Sequence, residues 1–210
     1  MKRVLLAALA LLALVLAGCS SSGSPKSKPS ELLGQNQSSK YQGAGLDPAQ
    51  PRPSFTLTDT SGKKFAFGTE TRGHPTFLYF GYTNCPDVCP TTMADVMTAL
   101  GKVPAAVAAK AYVVFVTTDI KHDTGPVISE WLSHFAHPPA KWIGLRGTQA
   151  EIDAAQAAAH ITVATDDGQT HSASVLLYGP DDYARVLFLQ SDNEPQAMAH
   201  DLNVVAGEAG

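Results

Sequence analysis

The chain has 210 residues, and its 15 basic residues against 19 acidic residues give a formal net charge of −4 at pH 7. This acidic balance, without a basic patch interleaved with aromatic residues, argues against nucleic acid as a partner. With 44% hydrophobic residues the chain can bury a core, and its three cysteines, Cys19, Cys85 and Cys89, are few enough for each to be assigned a use.

The first eighteen residues predict a signal peptide rather than a part of the fold. Residues 1–3 form a short positive head, and residues 4–16 form an apolar run that is too short to span a bilayer comfortably. The run ends in LAGC at residues 16–19, which resembles a bacterial lipobox. That resemblance implies cleavage before Cys19, lipid on its sulfur, and a mature protein on the extracytoplasmic face of the bacterial cytoplasmic membrane. An ordinary signal peptide followed by a chance cysteine is the alternative, and it too leaves the domain where disulfides can persist.

Residues 19–50 are rich in Ser, Gly, Pro, Lys and Gln and have few large apolar side chains. Such a segment cannot bury enough surface to offset its chain entropy, so we predict a flexible tether behind the lipid anchor. Removal of residues 1–18 leaves 13 basic residues against 19 acidic residues, so the mature chain carries a net charge of −6. Residues 51–210 have the length of one domain with a proper core.

The first predicted element of this domain is a β-hairpin, because alternating apolar residues at 55–58 and 63–67 flank a turn-rich tetrad. An apolar run at 76–82 predicts a buried strand, and residues 91–100 predict a helix with one apolar face. Residues 111–116 are β-branched and aromatic without interruption, which is typical of a central strand covered on both faces. A helix at 126–135 and a short strand at 142–145 follow.

In the second half, Thr148 is predicted to cap a helix over residues 149–159, with Glu151 completing a capping box. A short strand is predicted at 161–163. Residues 174–178 and 184–189 predict a second hairpin, and residues 194–206 predict the closing helix. This order of elements indicates an α/β domain in which right-handed crossovers place helices on both faces of a mixed sheet.

The pair Cys85 and Cys89 lies in residues 81–90, GYTNCPDVCP, between a predicted strand and a predicted helix. A structural disulfide is a weak interpretation, because the gain from closing a loop grows with its length and this loop is short. A redox pair is the second interpretation, since a helix N-terminus lowers a thiol pKa and side chains at this spacing share one helical face about 5–6 Å apart. Metal binding is the third, because two thiolates select copper(I), zinc or similar ions and need one or two further ligands.

The missing ligand is expected to be a histidine or a carboxylate that the fold brings near, and the chain offers seven histidines. His171 is the strongest candidate, because it precedes the strand predicted at 174–178. If that strand lies beside the one at 76–82, their adjoining loops meet at one edge of the sheet. His122, in a polar loop, stays open as a candidate. The other histidines are interpreted as surface, capping or unpartnered residues: His74, His134, His137, His160 and His200.

Several stretches together resemble the Sco/SenC family of copper-binding proteins. Residues 81–90 resemble its copper-binding motif, and residues 118–126 resemble its Asp-Pro-x-x-Asp-Thr-Pro loop. Residues 143–148 resemble its next strand and turn, and residues 168–177 resemble the segment that carries its His-Ser. The resemblance covers about residues 52–205. It implies a thioredoxin-like fold with a mixed central sheet flanked by helices and with added N-terminal and C-terminal β-hairpins.

The resemblance also implies a membrane-anchored copper protein that helps load the dinuclear copper site of cytochrome c oxidase. Its ligands for Cu⁺, Cu²⁺ or both are then Cys85, Cys89 and His171. The same two cysteines would form a redox-active disulfide in an alternative state. Three carboxylates could surround the ligands, and they are Asp87, Asp119 and Asp123.

We therefore predict a metallochaperone rather than an enzyme, with the copper-site subunit of the oxidase, a thiol reductant and the membrane as partners. The alternative is a thiol–disulfide oxidoreductase that keeps the recipient's copper-ligand cysteines reduced. His171 discriminates between the two, because a metal site needs it and dithiol exchange does not. A thiol peroxidase of the same broad fold would need a threonine and an arginine near the reactive cysteine; Thr83 is available, but no arginine stands out.

Overall fold

The structure, a computed structural model, describes residues 40–137, 139–190 and 194–208. The predicted signal peptide at residues 1–18, the predicted lipidation site Cys19 and the predicted tether as far as residue 39 lie outside the described residues. Within the described ranges, no helix has both the length and the apolar character that crossing a membrane requires.

Two fully buried strands form the centre of the fold. β4 (Thr76–Gly81) and β5 (Tyr112–Thr117) pair in parallel, and every residue of both strands is buried. Their continuous Val, Phe, Tyr and Leu residues suit strands that are covered on both faces. Both strands lie within one residue of their predicted bounds, so the central pair is confirmed.

Six further strands in the described residues join this pair: β1 (Ala44–Pro51), β2 (Thr56–Asp59), β3 (Lys64–Ala66), β6 (Lys141–Arg146), β7 (Val175–Tyr178) and β8 (Tyr183–Phe188). Their order is β1-β8-β7-β4-β5-β6-β2-β3. β6 is parallel to β5, whereas β7 is antiparallel to β4. The two predicted hairpins are confirmed, and each extends the same mixed sheet, β2–β3 beyond β6 and β7–β8 beyond β4.

Helices cover both faces of this sheet. They are α1 (Phe67–Glu70), α2 (Val88–Lys102), α3 (Ala105–Ala108), α4 (Gly125–Ser133), α5 (Gln149–Ala158) and α6 (Pro195–Ala206). Successive side chains of a strand point to opposite faces. Phe77 and Phe115 therefore pack in one core with α2, α4 and α6, whereas Leu78 and Val114 pack on the other face with α5. The predicted α/β class is confirmed.

The starts of two helices show how local sequence fixes their position. The predicted capping box of α5 is confirmed, because the Thr148 hydroxyl accepts from the Glu151 N–H while the Glu151 carboxylate accepts from the Thr148 N–H. α2 begins at Val88, three residues before the predicted start at 91. Cys89 and Pro90 are consequently inside its first turn, where the proline needs no N–H.

The predicted tether is wrong over residues 40–50, because this stretch is part of the domain. Residues 44–51 form β1, which pairs with β8. Just before it, the backbone N–H groups of Gln42 and Gly43 donate to the buried carboxylate of Asp201 on α6. The sequence did not predict β1 because it contains two prolines, which are disfavoured in strands. An edge strand can accept them, because one of its sides forms no ladder.

The short strand predicted at 161–163 is also wrong. The buried side chain of Gln156 satisfies this segment, with Nε2 donating to the Thr162 carbonyl at 3.2 Å and Oε1 accepting from the Ala164 N–H at 3.2 Å. Because these backbone groups already have a partner, the segment needs no neighbouring strand.

Candidate metal centre

Three loops meet at one edge of the sheet and bring the candidate ligands together. The parallel strands β4 and β5 end at this edge, after Gly81 and Thr117. β7 runs in the opposite direction beside β4, with Val175 opposite Tyr79, so it begins at the same edge. The loop that carries Cys85 and the loop that carries His171 are therefore neighbours, as the sequence predicts.

Cys85 and Cys89 are free thiols on either side of the start of α2. Cys89 is fully buried, and its Sγ accepts the hydroxyl of Tyr79 at 3.3 Å. The Cys89 backbone N–H donates to Cys85 Sγ at 3.4 Å, which fixes the half-buried Cys85 against the helix start. The two sulfur atoms consequently differ in depth, with Cys89 below and Cys85 towards the surface.

The two thiols also differ in acidity. Burial raises the pKa of Cys85, but hydrogen bonds from the backbone N–H groups of Cys89 and Asp87, with those of the Cys89 and Tyr82 side chains, outweigh burial, so the pKa of Cys85 is lowered from its ordinary value. Burial raises the pKa of Cys89 to about 12, despite the stabilising hydroxyl of Tyr79. The outer thiol thus ionises first, whereas the inner thiol keeps its proton unless something replaces it.

His171 presents a lone pair to the inner thiol. Its Nδ1 lies 3.0 Å from the carbonyl oxygen of Ser172, which can only accept, so Nδ1 carries the proton. The other ring nitrogen, Nε2, lies 3.6 Å from Cys89 Sγ. Burial lowers the pKa of His171, which favours the neutral imidazole that metals require. The rings of Tyr79 and Tyr82 stand edge-on to it, at centroid distances of 6.1 Å and 5.5 Å.

The spacing of Cys89 and His171 fits one shared metal ion. Sulfur and nitrogen ligands at bond lengths of about 2.0–2.3 Å and a tetrahedral angle stand about 3.5 Å apart. The observed separation of 3.6 Å agrees with that spacing. Among the described residues, however, no three His, Cys, Asp or Glu side chains already form a closed metal-binding group. The third donor therefore needs a local adjustment of the loops before all three can meet one ion.

The three carboxylates named from the sequence lie behind or beside the ligands. Asp87 is exposed and contributes its backbone N–H to Cys85. Asp119 is buried and contacts the His122 ring nitrogen at 2.7 Å. Asp123 is buried and accepts hydrogen bonds from Thr83, in the cysteine loop. The carboxylates of Asp119 and Asp123 therefore fix loops near the site, whereas Asp87 acts through its backbone N–H.

His122 does not join the candidate ligands in this arrangement. Its side chain is 70% exposed and its Nδ1 faces Asp119 rather than a thiol. His74 and His134 bond backbone carbonyl oxygens, and His200 bonds Asp201. The interpretation of these histidines as surface or structural residues is consistent with those contacts.

Sequence reasoning missed the aromatic and glycine residues that shape the site. Tyr79 supplies a hydroxyl to Cys89 from within a strand that looks purely structural. At Gly81, a Cβ atom would stand 2.9 Å from Cys89 Sγ and 2.6 Å from the Tyr79 ring, so a side chain there would displace the thiol. A hydroxyl in a buried strand, followed by glycine just before the cysteines, was the available signal.

A cavity of about 230 Å³ opens over these groups. Cys85 and Asp87 line one side of it, and Gln169 and His171 line the other. Cys89 lies beneath, fully buried. An ion held between the thiols and the imidazole would consequently be reached from the side of Cys85 and His171.

A sequence model of the SCO1/SenC family matches residues 44–207 of the chain. The chain is also similar to an SCO2-like protein of Rickettsia felis, with 40% identity over 98 residues, which is 47% of this chain and 45% of that relative. It spans about half the length of the curated relatives that it matches.

Solved structures share the fold. Bradyrhizobium japonicum ScoI with copper bound is 31% identical, with a TM-score of 0.60 over 74% of this chain and 99% of that one. Yeast Sco1 with copper bound is 25% identical, with a TM-score of 0.63 over 77% of this chain and 90% of that one. These likenesses confirm the predicted thioredoxin-like fold.

Proposed function

The chain belongs to the SCO1/SenC family, and from this premise we propose that it is an extracytoplasmic copper chaperone. It binds copper through the thiolates of Cys85 and Cys89 and the imidazole of His171. It helps load the dinuclear copper site of cytochrome c oxidase. Copper is the cargo of this protein, which must be held firmly and still be given up to a recipient.

The observation that carries this proposal is the distance of 3.6 Å between Cys89 Sγ and His171 Nε2. These residues lie 82 positions apart in the chain, on elements that meet only through the order of the sheet. The donor set of two soft thiolates and one imidazole suits copper(I) and copper(II). The copper-bound relatives from B. japonicum and yeast support the choice of metal.

The difference in depth between the ligands suits a cargo that is handed over. Cys89 holds the ion from beneath, where solvent does not reach it. Cys85 and His171 line the open cavity, so ligands of a recipient can replace them one at a time. Because the thiol protons must leave when the metal binds, copper uptake releases protons and is favoured by higher pH.

We extend the proposal to the membrane on the basis of the N-terminal sequence. Cleavage before Cys19 and lipid on its sulfur would anchor the domain at the extracytoplasmic membrane surface, where a membrane-bound recipient has a high effective concentration. Binding needs free thiols outside the cytoplasm, so a thiol reductant is a further partner. A Cys19→Ala variant of the full chain should leave the membrane fraction in flotation. Undiminished flotation of that variant would rule out the lipid anchor.

Titration of the reduced, metal-free domain with copper, followed by absorption spectroscopy, tests the ligand set. The wild type should bind one ion per chain, and His171→Ala should lose most of its affinity because one of three ligands is removed. His134→Ala is the matched control, since His134 is an exposed histidine that bonds the Trp131 carbonyl. Equal affinity and spectra in wild type and His171→Ala would remove His171 from the proposed ligands.

A thiol–disulfide oxidoreductase is the second candidate function, and the asymmetry of the thiols favours it. The Cys85 thiolate, with its lowered pKa, would attack a substrate disulfide and form a mixed disulfide while one substrate thiol leaves. Cys89 would then attack Cys85, releasing the second substrate thiol. The domain ends with a Cys85–Cys89 disulfide, and two electrons and two protons have passed to the substrate.

The His171→Ala variant distinguishes the two candidate functions. Dithiol exchange uses Cys85 and Cys89, so His171→Ala should reduce a disulfide substrate at close to the wild-type rate. Copper binding should fail in the same variant. If His171→Ala lost both activities together while remaining folded, the histidine would act on the thiols rather than on copper, and the ligand assignment would have to be withdrawn.

A further inference from the structure

The end of β5 carries no candidate ligand, yet it contacts both loops that do. β5 ends at Thr117, and Thr118 follows it between the loop of Cys85 and the loop of His171. Buried hydrogen bonds run from this point to both sides. Since the three elements arrive from distant parts of the chain, these bonds decide how far apart the loops stand.

Asp123 makes the contact on the cysteine side. Its buried carboxylate accepts the hydroxyl of Thr83 at 2.5 Å, the N–H of Thr83 at 3.0 Å and the hydroxyl of Thr117 at 2.5 Å. Thr83 stands two residues before Cys85. The carboxylate therefore fixes the loop between β4 and α2 to the end of β5.

Thr118 makes the contact on the histidine side. Its hydroxyl donates to the Gly168 carbonyl at 2.6 Å, and its backbone N–H donates to the Gly81 carbonyl at 2.8 Å. Gly168 has a φ of +90°, and a Cβ atom there would overlap the Thr118 carbonyl oxygen. Only glycine permits so close an approach of two backbones. Because Gly168 stands three residues before His171, this contact limits where the imidazole can lie.

We propose that Asp123 and Thr118 are positioning residues for the metal site, which set the spacing between the cysteine pair and His171 before the ion arrives. The inference rests on the proposed copper function and assigns these two residues a part in it. Neither residue touches the metal. Groups that orient metal ligands contribute about 10–100-fold to affinity in other metal sites.

Three variants and two controls test this role. Asp123→Asn replaces one acceptor oxygen by a donor, Thr83→Val removes the Thr83 hydroxyl that donates to it, and Thr118→Val removes the bond to Gly168. Asp201→Asn is the control for a buried carboxylate that accepts backbone N–H groups elsewhere. Thr76→Val is the control for a buried threonine hydroxyl, which donates to the His74 carbonyl at the other end of β4.

Copper(I) affinity is measured for each reduced domain in competition with a chelator of known affinity. The three positioning variants should bind about 10–100-fold more weakly, and the two controls should bind as the wild type does. Thr83→Ser, which restores the hydroxyl, should recover the affinity. The alkylation rate of Cys85 in the metal-free domain should rise in Asp123→Asn and Thr83→Val and stay unchanged in the controls, because loss of the contact frees the cysteine loop.

Thermal midpoints of the metal-free proteins separate positioning from general loss of stability. The inference is overturned if the loss of copper affinity simply follows the loss of thermal stability. In that case a control variant whose thermal midpoint is lowered by the same amount would lose the same affinity. The inference is also overturned if the positioning variants bind copper as tightly as the wild type, in which case the proposed function stands. If the wild type itself binds no copper, the proposed function fails and the inference falls with it. Should Asp123→Asn not fold, Thr83→Val tests the same contact from its partly exposed side.

Discussion

Two buried carboxylates, Asp123 and Asp201, hold chain segments in the same manner, but the regions around them differ. Both are fully buried, and each accepts backbone N–H hydrogen bonds from a segment distant in sequence, two for Asp201 and one for Asp123. Around Asp201 the packing is complete: a Cβ atom on Gly43 would stand 2.6 Å from the Phe188 ring. The loop that Asp123 holds, by contrast, borders a cavity, with Cys85 on its wall.

A buried carboxylate that accepts backbone N–H groups can thus serve either the stability of the fold or the geometry of a site. At Asp201 the clamp joins Gln42 and Gly43, at the start of the domain, to the last helix, and the groups it holds have no further chemistry. At Asp123 the carboxylate holds a loop whose Cys85 lines an open cavity. A clamp that fixes the backbone while leaving donor atoms uncoordinated is what a binding site requires.

Removal of either thiol should have the largest effect on the region around Asp123, namely the loss of copper binding. Cys85→Ser and Cys89→Ser each replace a soft thiolate by a hard hydroxyl, so each should abolish stoichiometric copper binding. Copper content after gel filtration of the loaded, reduced domain measures this. The denaturant midpoint of Cys85→Ser should stay near that of the wild type, because this side chain is only half-buried. Retention of copper by either variant would contradict the two-thiolate site.

Disruption of the contacts of Asp201 should have the opposite effect, lowering stability while leaving copper affinity unchanged. Asp201→Asn puts an NH₂ group in place of one acceptor oxygen, so a backbone N–H of Gln42 or Gly43 loses its partner and the free energy of unfolding should fall by about 1–3 kcal/mol. Copper affinity should not change, because the segment that is released lies away from the ligands. Urea unfolding and copper titration of the same preparation check both halves. A loss of copper affinity in this variant would show that the two regions are coupled.

The sequence predicted which candidate ligands lie near one another better than it predicted how they are held. Cys85, Cys89 and His171 could be chosen because their side chains have few other uses, and the order of the strands placed their loops at one edge. The contacts of Thr118 with Gly168 and of Asp123 with Thr83 could not be chosen, because they depend on how closely three loops approach. β1 was missed for a similar reason: its composition is that of a tether, and only its partner β8 makes it a strand.

A smaller effect concerns the order in which the two thiols ionise. Because the pKa of Cys85 is lowered, iodoacetamide should alkylate it in the metal-free domain with a pH profile shifted below that of a free cysteine. Cys89 should stay unmodified under the same conditions, since burial raises its pKa to about 12. Mass spectrometry of the reaction at several pH values measures both sites. Equal alkylation of the two residues would contradict the difference in depth between them.

Because the pKa of Cys89 is raised in the folded chain, this thiol should make the fold less stable at alkaline pH. Below an unfolded-state pKa of about 8.5 the Cys89 thiol is protonated in both states, so its contribution to stability is fully present. As pH rises towards the folded-state value of about 12, the unfolded chain loses this proton while the folded chain keeps it, so stability falls. If Cys89→Ser is the less stable protein at pH 8, the difference between the two denaturant midpoints should shrink as the pH rises through this window. The reason is that only the wild type carries the titrating thiol. Parallel curves for the two proteins would mean that folding leaves the pKa of Cys89 unchanged.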